Sequence, residues 1–192
     1  MIHLIQDIQE SVRAGRYRLS SHAEFEREAD NILTLEIEEA LLSQGCTVVE
    51  DYPDDPRGHS ALVLGFSSEG PPLHILIGMG QSDIRAVGYN GCDYSLSSRP
   101  HGMGRLESKA WLNMHRCYFC KGLVKPERIT HVHRWKEQVI ILEDVPADVC
   151  QQCGELYFAP EVLKSMDQIA EHGQQEKLKK QLVVPVYSLS EL

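Results

Sequence analysis

The sequence predicts an α+β protein: a small helix-plus-antiparallel-sheet domain, then a β-hairpin domain that carries paired cysteines and one C-terminal helix. Three observations predict it. Apolar residues recur at helical spacing, with capping signals, between Ile2 and Gly45. Apolar runs separated by turn residues follow, as an antiparallel meander requires. Two Cys-x-x-Cys pairs then bracket a β-rich stretch, and Pro160 opens a further amphipathic helix behind them.

Taken in order, Ile2, Ile5, Ile8 and Val12 place a helix over 2–14 that ends near Gly15. "RYRLS" reads as a short strand. Ser20 or Ser21 caps the next helix, "HAEFEREAD", with Glu24 three residues beyond Ser21 as its capping-box partner. Thr34 caps "LEIEEALLS", which Gly45 stops. "CTVVEDY" is a strand and "DYPDDPRG" a turn-rich connection. "SALVLGFS" and "PLHILIGMG" form a hairpin through "SEGPP".

After Ala86 no period of either kind is present until Met114. A structureless run of more than ~15 residues is unusual inside a compact domain, and the meander lacks a closing strand. The codons for Gly88 to Tyr94, read one base on, can spell V-I-T-V-V-I-T, which is that strand. In the same frame Leu112-Asn113 yields a stop for any leucine codon ending in A or G. The chain therefore reads as two overlapping frames joined by a frameshift near Ala86 or Val87, with a genuine long linker as the competing reading. The expected domains are 1–87, an irregular linker over 88–113, and 114–192. In the last of these, "ITHVHRW" and "EQVIILEDV" pair around Lys136-Glu137. "PEVLKSMDQIAEH" is a helix with Val162, Met166, Ile169 and Ala170 on one side. "LVVPVYSLSEL" has strand character, and Pro185 suits it to a sheet edge.

With 192 residues, the chain has room for one medium domain or two small ones. A net charge of −9 excludes a general polyanion binder, though not a local basic patch. No apolar run approaches the roughly 18–20 residues that span a bilayer, and acidic residues interrupt the N-terminal apolar pattern. No membrane partner is expected, and a cytoplasmic location is. Four of the six cysteines form the two pairs, which in a reducing compartment suit metal better than disulfides.

Cys117, Cys120, Cys150 and Cys153 carry the strongest chemical signal. Two residues between thiols let both sulfurs of a tight turn reach one ion at about 2.3 Å. Gly122 and Gly154 follow the two turns, where a left-handed backbone is often needed. The gap between the pairs exceeds the usual spacing, and the hairpin fills it. Four thiolates leave no open position, so a single structural Zn2+ is expected, in a zinc-ribbon arrangement. Redox dithiols or unpaired surface cysteines are the competing readings.

"MHRCYFCKG", "VHRW", "ILEDVPADVCQQCGE" and "YFAPEV" resemble the YgiT/MqsA-type zinc-finger antitoxins over most of 114–175. That resemblance implies a zinc domain that binds a cognate toxin. Longer members add a helix-turn-helix that binds the operator. The chain has no room for one after its last helix, so DNA binding is not expected.

"YRLSSHAEFERE", "EEALLSQG", "VVEDYPDDPRGHSALVLG" and "PLHILIG" resemble, over about 5–85, a domain-of-unknown-function family related to RelE/ParE- and MqsR-like toxins. The resemblance implies a small α+β toxin domain that acts as an mRNA interferase. RNA cleavage needs a base for the 2′-hydroxyl, an acid for the leaving oxygen and a cation on the phosphorane. His22 and His74 are candidates for acid and base, with His59 a weaker one. Arg27, Arg57 and Arg85 are candidates for phosphate. Three of them have a plainer reading: His22 as a capping residue, His74 as a half-buried strand residue, Arg27 as the helical partner of Glu24. Asp54 and Asp55 sit between prolines as turn residues, and Cys46 and Cys92 have no activating base beside them.

The expected function is a type II toxin–antitoxin pair on one chain, a toxin domain bound and neutralised by a zinc antitoxin domain, inactive or inhibited as written. Its partners would be the intramolecular or intermolecular toxin–antitoxin contact and mRNA or the ribosome, with homo-oligomerisation left open. The alternative is a non-enzymatic zinc-ribbon module that binds protein or nucleic acid, the latter through His131, His133, Arg134 and Trp135, which alternate across a strand.

Overall fold

A computed structural model describes residues 2–68, 70–79, 84–86, 116–173, 178–185 and 188. The frame junction at Val87, the segment 88–113, Met114 and Cys92 lie outside the described residues. The elements are α1 (Ile2–Arg13), β1 (Tyr17–Ser20), α2 (Ser21–Asp30), α3 (Thr34–Leu42), β2 (Thr47–Tyr52), β3 (Ser60–Phe66), β4 (Pro72–Met79), β5 (Ile84–Ala86), β6 (Val124–Trp135), β7 (Gln138–Cys150), β8 (Leu156–Phe158) and α4 (Pro160–His172).

Local chemistry accounts for the boundaries. Gly15, at φ +62°, takes the left-handed turn after α1. Ser20, not Ser21, caps α2, its hydroxyl accepting from the Ala23 amide. Glu24 makes no capping box, because its carboxylate is drawn to Arg27. Asn31 closes α2 in the left-handed region. α3 starts from Leu33, whose amide donates to Glu36. The Thr34 amide goes instead to Asp167, a residue too distant in sequence for a capping rule to find.

The strands form one eight-stranded sheet in the order β2-β3-β4-β5-β1-β8-β7-β6. Among the described residues only β1 with β5 is parallel. β1 bridges the two parts of the chain: Tyr17 to Leu19 pair with Ile84 to Ala86 on one side, and Leu19 and Ser20 with Phe158 and Tyr157 on the other. β6 and β7 make the expected hairpin, turning at Lys136 with φ 54°. A bulge lies between Ile129 and His131, with Asp144 in the left-handed region opposite it. It moves the inward face of β7 from Val145 and Ala147 to the even positions, while His131, His133 and Trp135 stay inward on β6.

The main core lies under the helices and draws on both parts of the chain: Ile8, Ile37, Leu41, Ile75 and Ile77 meet Val145, Phe158, Leu163 and Met166. On the opposite face of β3–β4 a smaller cluster joins Leu76 to Cys117, Tyr118, Val124, Cys150 and Tyr157. α4 has the expected limits but a different inner face. Leu163, Met166, Asp167 and Ala170 are buried, whereas Ile169 is exposed. Residues 178–185 adopt neither helix nor strand and are exposed, so over these positions the tail is not the edge strand its composition suggests. No helix among the described residues is long and apolar enough to cross a membrane.

Candidate metal centre

Two turns with one hydrogen-bond plan present the four cysteines. In the first, the Cys117 amide donates to Gly122 O at 2.8 Å and the Lys121 amide to Cys117 O at 3.0 Å. In the second, the Cys150 amide donates to Glu155 O at 2.8 Å and the Gly154 amide to Cys150 O at 3.0 Å. The fourth residue after the leading cysteine is left-handed in both: Lys121 at φ 60° and Gly154 at φ 79°. Gly154 thus has the role its sequence position suggests. Gly122 has another. A Cβ there would lie 2.7 Å from Gln152 Cβ and 3.1 Å from both Cys120 Sγ and Cys150 Sγ, so this glycine makes room for sulfur. The Gln151 amide donates to Leu123 O and ties the turns together.

All four sulfurs lie within 4.8 Å of one another. Cys117 Sγ is 3.7 Å from Cys153 Sγ, and Cys120 Sγ is 3.4 Å from Cys150 Sγ. A disulfide needs about 2.05 Å. Four thiolates about 2.3 Å from one tetrahedral ion stand about 3.8 Å apart, which the observed spacing approaches. Cys117 and Cys150 are buried, while Cys153 is at the surface. Burial opposes ionisation of Cys150, but the Cys153 and Gln152 amides, with the neighbouring Cys120 and Cys153 thiols, together outweigh it and bring the thiol down to about 6. Tyr157 supports the site from β8: its hydroxyl lies 3.3 Å from Cys117 Sγ and accepts from the Tyr118 amide at 3.0 Å. The arrangement can hold one soft divalent cation with no vacancy for substrate.

The centre is seated on the sheet. Tyr118 donates to Gly58 O at 3.2 Å, and its ring occupies the space where a Cβ on Gly78 would be, 2.5 Å away. Arg57 lies over the same ring at 5.8 Å. Asp55 fixes Arg57, accepting from its amide, Nε and an Nη, and also from Ser60. The Arg57 side chain, held this way, keeps the Asp55 carboxyl down at about 2.

The other candidates from the sequence are not gathered into one pocket. Arg27 is fully buried, so it is closed to phosphate. It binds Glu24 bidentately at 2.6 and 2.7 Å, Asp167 at 2.7 Å and Ile32 O at 3.1 Å. The Glu24 partner was legible from helical spacing; Asp167 was not. His22 is exposed at the start of α2. His74 is half-buried on β4 and, by strand alternation, shares the face of Leu76 and Gly78 beneath the cysteine turns. His59 contacts Asp51. The Arg85 backbone pairs with Arg18 and Gly78, and its side chain lies outside the described residues. His133 and Trp135 are buried and His131 is mostly so, which removes them from a nucleic-acid surface. Sequence reasoning missed β8 and the carboxylates of Glu155, Asp148 and Asp167. Glu155 accepts from the Ser21 amide and hydroxyl, both at 2.9 Å, and Asp148 from Arg18 at 3.3 Å.

Fold and site together define an α+β protein whose four-cysteine, metal-competent centre is docked on its own sheet. Residues 19–88, a little over a third of the chain, match the family model described as Domain of unknown function (DUF4258). The match runs from β1 to just past β5. No curated protein and no solved structure matches the chain.

Proposed function

We propose that the chain is a type II toxin–antitoxin pair, in which an mRNA-interferase-like segment built on residues 1–87 is held and neutralised by the zinc-bearing segment 114–192. The observation that carries this reading is the seat of Tyr118 on Gly78 and Gly58. It sets the first cysteine turn on the Gly58–Gly78 end of the sheet face that also bears His74, next to Arg57, and a nucleic-acid strand would be kept from that end while the turn is there. Bound Zn2+ would be held by Cys117, Cys120, Cys150 and Cys153 and would supply rigidity, since four thiolates complete its coordination. Tyr157 and Gly122 would keep the sulfurs spaced. In the toxin segment, His74 would be the candidate for proton transfer and Arg57 for phosphate.

The decisive experiment is expression of the first segment with its frame restored beyond Val87, alone and together with residues 114–192. Growth arrest and RNA loss by the first alone, relieved by the second, is expected. Absence of arrest, or arrest unchanged by His74→Ala and Arg57→Ala together, rejects the toxin reading. The burial of Arg27 favours the second reading, a non-enzymatic zinc module that binds another protein; that reading gains if no RNA is cut.

A further inference from the structure

A second group of metal-ligating side chains lies between α2 and β6, away from the cysteines. Glu24 and Glu28, one helical turn apart, face His131 and His133, which share the inner face of the strand. The ligand atoms of all four lie within 4.8 Å of one another. His133 Nδ1 is 2.7 Å from Glu28 Oε1 and 3.6 Å from Glu24 Oε1; His131 Nε2 is 3.4 Å from Glu28 Oε1. The side chains of His133, Glu24 and Glu28 are 0%, 1% and 5% exposed.

Despite these distances, Glu28 Oε1, His131 Nε2 and both ring nitrogens of His133 make no hydrogen bond of acceptable geometry. Buried polar atoms without partners are costly, and three of them, Glu28 Oε1, His131 Nε2 and His133 Nδ1, lie together and call for a shared partner. The charge balance points the same way. Glu24, Glu28 and Asp167 are set against a single guanidinium, that of Arg27, which leaves two negative charges facing the two imidazoles. A divalent cation cancels both. Ligands about 2.0 Å from a tetrahedral ion lie about 3.3 Å apart, close to the spacings seen. The Arg27 bond to Glu24 is the kind of outer contact that orients a ligating carboxylate. Phe158 and Trp135 flank the imidazoles, so the pocket is walled by rings.

We infer that Glu24, Glu28, His131 and His133 form a second metal site, a buried two-nitrogen, two-oxygen cage for a divalent first-row ion such as Zn2+, which clamps α2 to the β6–β7 hairpin. Imidazole with carboxylate suits this class of ion, and burial leaves the site structural. The inference does not depend on the toxin–antitoxin reading.

The test is a Co2+ titration of the full chain, stripped of metal and kept reduced. Two equivalents are expected: one with the intense sulfur-to-metal absorption of thiolate ligation, the other with weak ligand-field bands alone. Glu28→Gln and His133→Gln should each weaken the second equivalent by about 10- to 100-fold or more and leave the sulfur signature intact. If either variant fails to fold, His131→Gln serves, since that side chain reaches the edge of the cluster at 15% exposure. The unaltered chain is decisive in any case. A single equivalent, showing only the sulfur signature, overturns the inference and leaves a proton on the imidazoles as the means of balancing the cluster. A second equivalent that all three variants retain overturns it equally.

Discussion

At the scale of single residues, Gly122 and Gly154 separate two uses of glycine. Gly122→Ala pushes a methyl between two sulfurs, so chelator competition should show metal affinity falling by about tenfold or more. Gly154→Ala meets nothing within 4 Å and carries only backbone strain, worth about 1 kcal/mol, so it should shift unfolding with little effect on affinity. Arg27→Met leaves Glu24 and Asp167 buried without their cation. A loss of about 3–5 kcal/mol in urea unfolding is expected, and a near-neutral result would contradict the central role given to this ion pair. Burial pushes the Cys46 thiol up to about 11. Only the thiolate alkylates, so peptide mapping after iodoacetamide should find Cys46 inert near neutrality, with a rate that climbs about tenfold per pH unit towards that value. The four clustered cysteines were legible because their spacing is local. The Glu24–Glu28–His131–His133 cluster was not, since its halves lie about a hundred residues apart and each alone reads as an ordinary helix or strand pattern.

Among elements, α4 and the β6–β7 turn were legible to the residue, because a proline start and an apolar alternation are strong local signals. The inner face of α4 was not. Asp167 turns inward to meet Arg27 and Thr34, and Ile169 rotates out, a choice made by tertiary ion pairing rather than by apolar period. β8 escaped notice because three residues carry no period at all. β4 runs from Pro72 to Met79, yet among the described residues β5 pairs only with its Ile77–Met79 end. If V-I-T-V-V-I-T replaces positions 88–94 in the full chain, the added strand should run on along β4 towards Pro72. Hydrogen exchange should then slow at amides between Leu73 and Leu76. Unchanged exchange there would count against the frameshift reading.

Across the whole molecule, two parts that read as separate domains share a sheet, a core and buried ion pairs. Lys164 reaches Glu38 at 2.7 Å, and the Lys136 amide donates to Asn31 at the end of α2. Stripping the metal should therefore be felt beyond the cysteine turns. Structural zinc is worth about 10–16 kcal/mol to small domains, comparable to the whole roughly 5–15 kcal/mol of net stability typical of a folded chain. With chelator, exchange protection should fall together in β3–β4 and β6–β7; loss confined to 116–173 would show that the parts fold independently. The shared sheet also sets an order of events. A ribosome delivers β1 long before Phe158 and Tyr157, so the Leu19–Ser20 edge waits for a neighbour. A second nascent chain can lend its own β8 in that interval, and crowded synthesis would favour strand-exchanged dimers, each copy closing the other's sheet.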